Sequence, residues 1–207
     1  GINNMTAYLT PGWDSTNQKV GTSCTDLDGA SGAWQKTYGF TNPGTSNFAI
    51  CGWINLDSIT NQRTVFRFGY NPGDPNRKFY MYIGTDGKMY VGCGTQDSSA
   101  SSNTLSLSTW YFVWMRRSEG VVTAGFSAAT SGFSSTVEIL FSNSESAGES
   151  TISNLIGFAN FASVWRYFDG KIDQLLYCNA NSLTDSELSN LFNAGSGTEN
   201  LSGTTSG

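Results

Sequence analysis

The chain contains no histidine. That removes the commonest general base, the usual zinc ligand and the ordinary charge switch near neutral pH. It argues against a catalytic triad and against a zinc hydrolase. Charge is also scarce. Eleven Lys and Arg stand against 16 Asp and Glu, so only 13% of the residues are charged and the net charge is −5. Such a surface disfavours nucleic acid, whose phosphates demand a basic partner, and is compatible with a bound cation. No apolar run reaches the ~18 residues that mark a membrane span. Cys24, Cys51, Cys93 and Cys178 are widely spaced, and no pair has metal-ligand spacing. The opening, GINNM, has no signal-peptide pattern and reads as the start of a processed or excised fragment.

What the chain does have is apolar and rich in hydroxyls. Apolar residues make up 38% and aromatics 14%, enough for a sizeable core. Ser, Thr, Asn and Gly fill much of the rest, which fits a secreted or surface-displayed β protein. A length of 207 residues suits one large β domain. Two readings of the cysteines stand open: buried thiols acting as small hydrophobes, or two disulfides, for which three pairings exist.

Asn47 to Leu56, NFAICGWINL, organises the pattern. Phe48, Ile50 and Ile54 alternate with Ala49, Cys51 and Trp53, and successive side chains of a strand point to opposite faces. Both sets are apolar, which places this strand mid-sheet with both faces covered. Gly52 leaves room for a bulky neighbour or a local bend. Further strands are predicted at residues 4–10, around Gly29 and Gly32, and at 64–70, 78–83, 88–93, 110–117, 121–127, 137–142, 151–158 and 168–178. Asp86-Gly87 closes a hairpin. One helix is predicted over 185–194. Thr184 and Glu187 form its capping box, Leu188, Leu191 and Phe192 its apolar stripe, and Gly195 its end. Residues 1–195 form the expected domain and 196–207 a flexible linker or tail. Many closely spaced strands and one terminal helix point to an all-β, antiparallel two-sheet sandwich.

Five blocks in order then carry a resemblance. Leu27-Asp28-Gly29, FAICGWINLDS, LSLSTWYFVWMRR, FDGKIDQLLY and SLTDSELSNLF span about residues 24–194. Their order and spacing resemble the laminin-G-like, concanavalin A-like jelly-roll domains. The resemblance implies a jelly-roll sandwich and a calcium ion held between an early loop and the last strand. On this chain the implied ligands are Asp28, the Gly29 carbonyl and Asp173, with Asp26 as a spare, because calcium takes several oxygen ligands. The alternative is that Asp28 closes an ordinary turn with Gly29 and Asp173 binds nearby backbone. Gln174 stands where the family often has a second acidic residue, and the segment from Cys178 to Leu183 is one residue longer.

The same alternation sorts the aromatics. With Phe48, Ile50, Ile54, Phe66, Phe68, Phe79, Met81, Ile83, Tyr111, Val113 and Met115 in the core, the other face collects Trp53, Arg67, Tyr80, Tyr82, Trp114 and Arg116. If their strands share a sheet, these six form one surface suited to sugars: C–H faces stack on rings while guanidinium and phenol groups take hydroxyls. The competing reading is that loops cover this face and make it a second small core. Trp165, Arg166 and Tyr167, or Trp34 with Tyr38, offer a rim site instead. Catalysis finds little support. Jelly-roll glycosidases need paired carboxylates, usually Glu-x-Asp-x-x-Glu, and Glu138 stands alone in TVEIL. A tyrosine-based lyase stays open.

The expectation is therefore a non-catalytic carbohydrate-binding or adhesion domain, with calcium as its candidate cofactor, that recognises a glycan or polysaccharide. Its setting is extracellular, cell-surface or virion-surface. The alternative is a structural, protein-interaction module of a virion fibre, capsid decoration or multi-domain surface protein.

Overall fold

The computed structural model describes residues 6–8, 10–36, 43–69, 78–97, 100–145, 154–161 and 164–200. Its strands in chain order are β1 (Thr6–Tyr8), β2 (Gly12–Asp14), β3 (Cys24–Asp28), β4 (Ala33–Lys36), β5 (Phe48–Leu56), β6 (Arg63–Phe68), β7 (Lys78–Ile83), β8 (Met89–Gly94), β9 (Gln96–Asp97), β10 (Trp110–Ser118), β11 (Val121–Ala128), β12 (Ile139–Ser142), β13 (Asn154–Ile156), β14 (Phe158–Phe161), β15 (Val164–Tyr167) and β16 (Asp169–Asn179). Helix α1 (Asp185–Phe192) and a short 3-10 turn (Asn193–Gly195) follow.

The long strands form two antiparallel seven-stranded sheets. The first runs β1-β4-β13-β6-β7-β8-β9 and the second β12-β11-β10-β5-β16-β3-β2. β5 is the middle strand of the second sheet, as its two apolar faces require. The predicted inward set holds: Phe48, Ile50, Ile54, Phe66, Phe68, Phe79, Met81, Ile83, Tyr111, Val113 and Met115 are all buried in the core between the sheets. Gly52 is explained by its neighbour. β16 carries a bulge between Asp173 and Leu176, and a Cβ at Gly52 would lie 3.0 Å from the Leu175 backbone. Only a residue without a side chain fits beneath that bulge.

Two features differ from the sequence reading. Phe158–Phe161 and Val164–Tyr167 pair as an additional antiparallel hairpin, β14–β15, which packs against β6. Residues 196–198 are not a free tail. The Gly197 amide donates to the Phe192 carbonyl (3.0 Å), Asn193 Nδ2 donates to the Gly197 carbonyl (2.7 Å), and Gln174 Nε2 donates to the Thr198 carbonyl. The remainder of the proposed tail, 201–207, lies outside the described residues. Helix α1 starts as expected, with the full Thr184–Glu187 capping box, and ends at Asn193 in a left-handed conformation (φ 47°).

All four cysteines are free thiols. Burial pushes those of Cys24 and Cys93 up to about 11, as expected of inert core residues.

Two buried arginines hold loops to this frame. Arg117 is fully buried. Its guanidinium donates to the carbonyls of Gly44 (2.5 Å), Ser46 (2.6 and 3.1 Å) and Glu145 (2.8 Å). Its charge lies 5.2 Å from the Phe48 ring centroid. Arg63 is 4% exposed. It donates to the carbonyls of Ser58 (3.0 Å) and Tyr167 (3.2 Å), and pairs with the Asp169 carboxylate at 2.9 Å. Each charge is tolerated inside because its donors are met by oxygens.

Candidate functional site

The six candidate ligand residues do not share a surface. β5 and β10 belong to the second sheet, while β6 and β7 belong to the first. Trp53, Trp114 and Arg116 therefore face one outer side of the sandwich, and Arg67, Tyr80 and Tyr82 face the other.

On the second sheet the outer face is closed. Trp53 and Trp114 are both 0% exposed. With Ala49, Cys51 and Phe112 they pack against Leu183, Leu188, Leu191 and Phe192 of α1 and its approach. The Trp53 ring stacks on Phe192 at 5.4 Å. Arg116 fastens the helix start: Nη1 donates to the Leu183 carbonyl and Nη2 to Asp185, each at 2.6 Å. These three residues are thus corrected from ligand contacts to the parts of a second core. A capped amphipathic helix must bury its stripe somewhere, and this apolar face is where it does so.

The outer face of the first sheet has a different make-up. Cross-strand register sets Tyr82 opposite Tyr90 and Tyr80 opposite Gly92. The rings of Tyr82 and Tyr90 are parallel, 4.8 Å apart at 0°, and both are half-buried. Tyr80 continues the row at 6.0 Å. It lies flat over Gly92, where a Cβ would come within 2.4 Å of the ring, so that glycine is what lets the ring settle. Tyr90 donates its hydroxyl proton to Asp86 (3.0 Å).

Cations surround this row. Arg67 sits directly across from Tyr80, and Lys78 Nζ lies 5.1 Å from the Tyr80 ring centroid. Arg166, on β15, is half-buried. Burial pushes its guanidinium below its ordinary value, and the Tyr82 and Tyr80 phenols act the other way, so it lies within electrostatic reach of both. The β14–β15 hairpin brings Arg166 here. Its own rings, Phe158 and Tyr167, stack at 4.9 Å and cover Ala33 and Leu155. Arg63 holds the hairpin's end through the Tyr167 carbonyl. Tyr90 and Lys78 escaped the sequence reading, although alternation in KMYVGC already points Tyr90 the same way as Tyr82. The Trp165 side chain and Tyr38 lie outside the described residues.

The implied metal ligands do not assemble. Asp28 is paired with Asp169 across β3 and β16, and Asp173 is four residues further along, about 13 Å away at ~3.3 Å per residue. Asp28 accepts from the amides of Ala30 (2.9 Å) and Ser31 (2.8 Å) and from the Ser31 hydroxyl (2.8 Å). Those bonds hold its carboxyl down at about 2. Asp173 accepts from the amides of Lys19 and Val20, both at 2.8 Å. The Gly29 carbonyl faces the Arg63 guanidinium (3.5 Å). Among the described residues no group of three or more metal-ligating side chains exists. This ligand set does not fit calcium: the turn and backbone reading of Asp28 and Asp173 is the one the structure adopts.

No family model and no curated protein matches the chain. Solved structures do. Domain 4 of AbnA, a GH43 extracellular arabinanase from Geobacillus stearothermophilus solved with arabinotriose, aligns with a TM-score of 0.65 at 13% identity, covering 90% of this chain and 86% of that one. The fold is the laminin-G-like, concanavalin A-like jelly roll. A putative carbohydrate-binding protein from Bacteroides ovatus aligns at TM-score 0.58 and 15% identity over 88% of this chain and 46% of its own. Domains LG4-5 of the mouse laminin α1 chain align at 0.50 and 13% over 79% and 42%. This jelly roll thus spans most of the arabinanase domain and less than half of the other two chains.

Proposed function

We propose that this jelly roll binds carbohydrate on the outer face of its first sheet, without catalysis and without calcium at Asp28, Gly29 and Asp173. The observation that carries this reading is the parallel Tyr82–Tyr90 pair beside Tyr80, with Lys78 over the Tyr80 ring. The half-buried Tyr82 and Tyr90 rings present an apolar surface to sugar C–H groups, the half-buried Lys78 and Arg166 side chains meet hydroxyls, and Tyr80 and Arg67, each 3% exposed, support the row. The likeness to an arabinotriose-bound domain and to a putative carbohydrate-binding protein supports the same reading.

Binding is favoured over hydrolysis because four of the described carboxylates serve as structural acceptors: Glu138 for Asn103, Glu145 for Thr95, Asp169 for Arg63 and Asp173 for backbone. The setting we assign is extracellular, at a cell or virion surface. Among the described residues no helix is long and apolar enough to cross a membrane.

The test is a glycan array probed with the purified chain, in calcium and again in EDTA. Binding in both conditions is expected. Tyr82→Ala and Tyr90→Ala should each weaken it about tenfold, the equivalent of ~1.4 kcal/mol. Unchanged binding by both variants would remove the tyrosine face as the site. Calcium-dependent binding would overturn the metal-free reading. No binding, together with self-association, would favour the structural module.

A further inference from the structure

Trp13 presents a second ring that neither the fold nor the tyrosine face uses. It sits on the edge strand β2, whose partner in the sheet is β3. It is 64% exposed. Most of a large indole is therefore in water, on a segment that is held firmly on both sides.

Three sets of contacts do the holding. Trp13 meets Trp34 of the first sheet edge-on, with centroids 5.3 Å apart at 62°. Trp34 is locked in turn, since its Nε1 donates to the Thr25 hydroxyl (3.2 Å), and Thr25 is the direct cross-strand partner of Trp13. On the other flank, Asp14 accepts from the Thr16 amide (2.7 Å), the Thr16 hydroxyl (2.7 Å), the Asn17 amide (3.1 Å) and the Asn17 side-chain nitrogen (2.9 Å). These bonds draw the Asp14 carboxyl well below its ordinary range. Trp13 is thus an exposed ring between a locked neighbour and a closed turn.

Size decides what it can hold. A Trp side chain carries ~150–250 Å², so the open part is on the order of 150 Å². A stable protein interface needs ~800 Å² per partner. The other large exposed apolar residues of the second sheet, Val121 and Leu140, lie on β11 and β12 at its opposite edge and cannot extend the patch. Among the described residues the exposed area matches one sugar ring.

We propose that Trp13, braced by Trp34, is a separate stacking site for one pyranose ring of a neutral oligosaccharide. It lies at the junction of β2 and β4, away from the tyrosine row. From β4 to β7 is three strand spacings, about 14 Å. The site shares no residue with the tyrosine face, so either can fail alone.

The experiment follows the tryptophan indole N–H signals of the isotope-labelled full chain by NMR while maltotriose, cellotriose, xylotriose and chitotriose are added in turn. Trp13 is assigned by its loss in Trp13→Phe. The expected result is that at least one trisaccharide shifts the Trp13 signal while Trp53 and Trp114 stay still. Trp13→Ala should then weaken that trisaccharide at least tenfold with Tm unchanged, and Tyr82→Ala should leave it intact. A Trp13 signal unmoved by all four sugars overturns the proposal. So does a Trp13→Ala chain that keeps the affinity, or one that loses Tm with no change in binding. That last outcome would make Trp13 a plug of the sandwich edge.

Discussion

The two outer faces of this sandwich begin from the same strand alternation and end in opposite states. On the second sheet the outward residues are Ala49, Cys51, Trp53, Phe112 and Trp114, and helix α1 seals them. On the first sheet they are Arg67, Tyr80, Tyr82 and Tyr90; β14 and β15 pack against β6, Arg67 and Tyr80 are buried, and Tyr82 and Tyr90 stay half-buried. An outward apolar face attracts whatever amphipathic element the chain has left, because burying it is worth roughly 25 cal/mol per Å². An outward row of phenols is less costly to leave partly wet, as Tyr82 and Tyr90 are, since each ring carries its own polar group. The aromatic content of a face therefore says little about ligand binding until its polar content is counted as well.

Truncating the sealed face should have the largest effect. Trp114→Ala is expected to cost ~3–5 kcal/mol of stability, read as a shift in the urea midpoint, with any glycan affinity of the folded fraction unaltered. A loss below ~1 kcal/mol would break the contrast between the faces. Next comes the helix latch. Arg116→Ala removes two charge-assisted bonds at the start of α1 and should cost about 1–2 kcal/mol, less than two fully buried bonds would, because Asp185 is half in solvent. Faster amide exchange in α1 should accompany it. Tyr82→Ala on the open face should cost at most ~1.5 kcal/mol, the worth of its stacking. Its main effect should be on sugar binding, so stability and affinity part company between the two faces.

Asp28 gives the smallest effect. Its folded value lies below 3.8, at about 2, so its contribution is complete above pH 3.8 and is lost as pH falls through about 2. Asp28→Asn should lower Tm slightly at neutral pH, a loss that shrinks as pH falls towards 2, and speed exchange of the Ala30 and Ser31 amides. EDTA should not move the midpoint of the wild-type chain.

Much of this was legible in the residues. Alternation in FAICGWINL, KFYMYI and WYFVWMRR identifies which side of each strand faces inward, and the Thr184–Glu187 box marks the start of the helix. What alternation cannot supply is which strands lie side by side. β5 pairs with β10 and β16, far away in the chain, so Trp53 and Tyr80 could be placed on one surface only by assuming a common sheet. A usable signal was nonetheless present: the outward sets of β5 and β10 are apolar, those of β6 to β8 are polar aromatics, and the helix needed the former. The β14–β15 hairpin was missed for a local reason. FANFASVWRY contains neither Gly nor Pro to mark a turn, and with it went the placement of Arg166.

Arg117 clamps its corner of the sandwich through backbone carbonyls, with no carboxylate among its described partners. A latch between a guanidinium and an acid lets go once the acid takes up a proton, and a surface pair also fades in salt. Peptide carbonyls accept no proton in that range, and a fully buried charge is out of reach of mobile ions. The join between the 44–46 loop and Glu145 should therefore stay shut in acidic or briny surroundings that would slacken ordinary ion pairs.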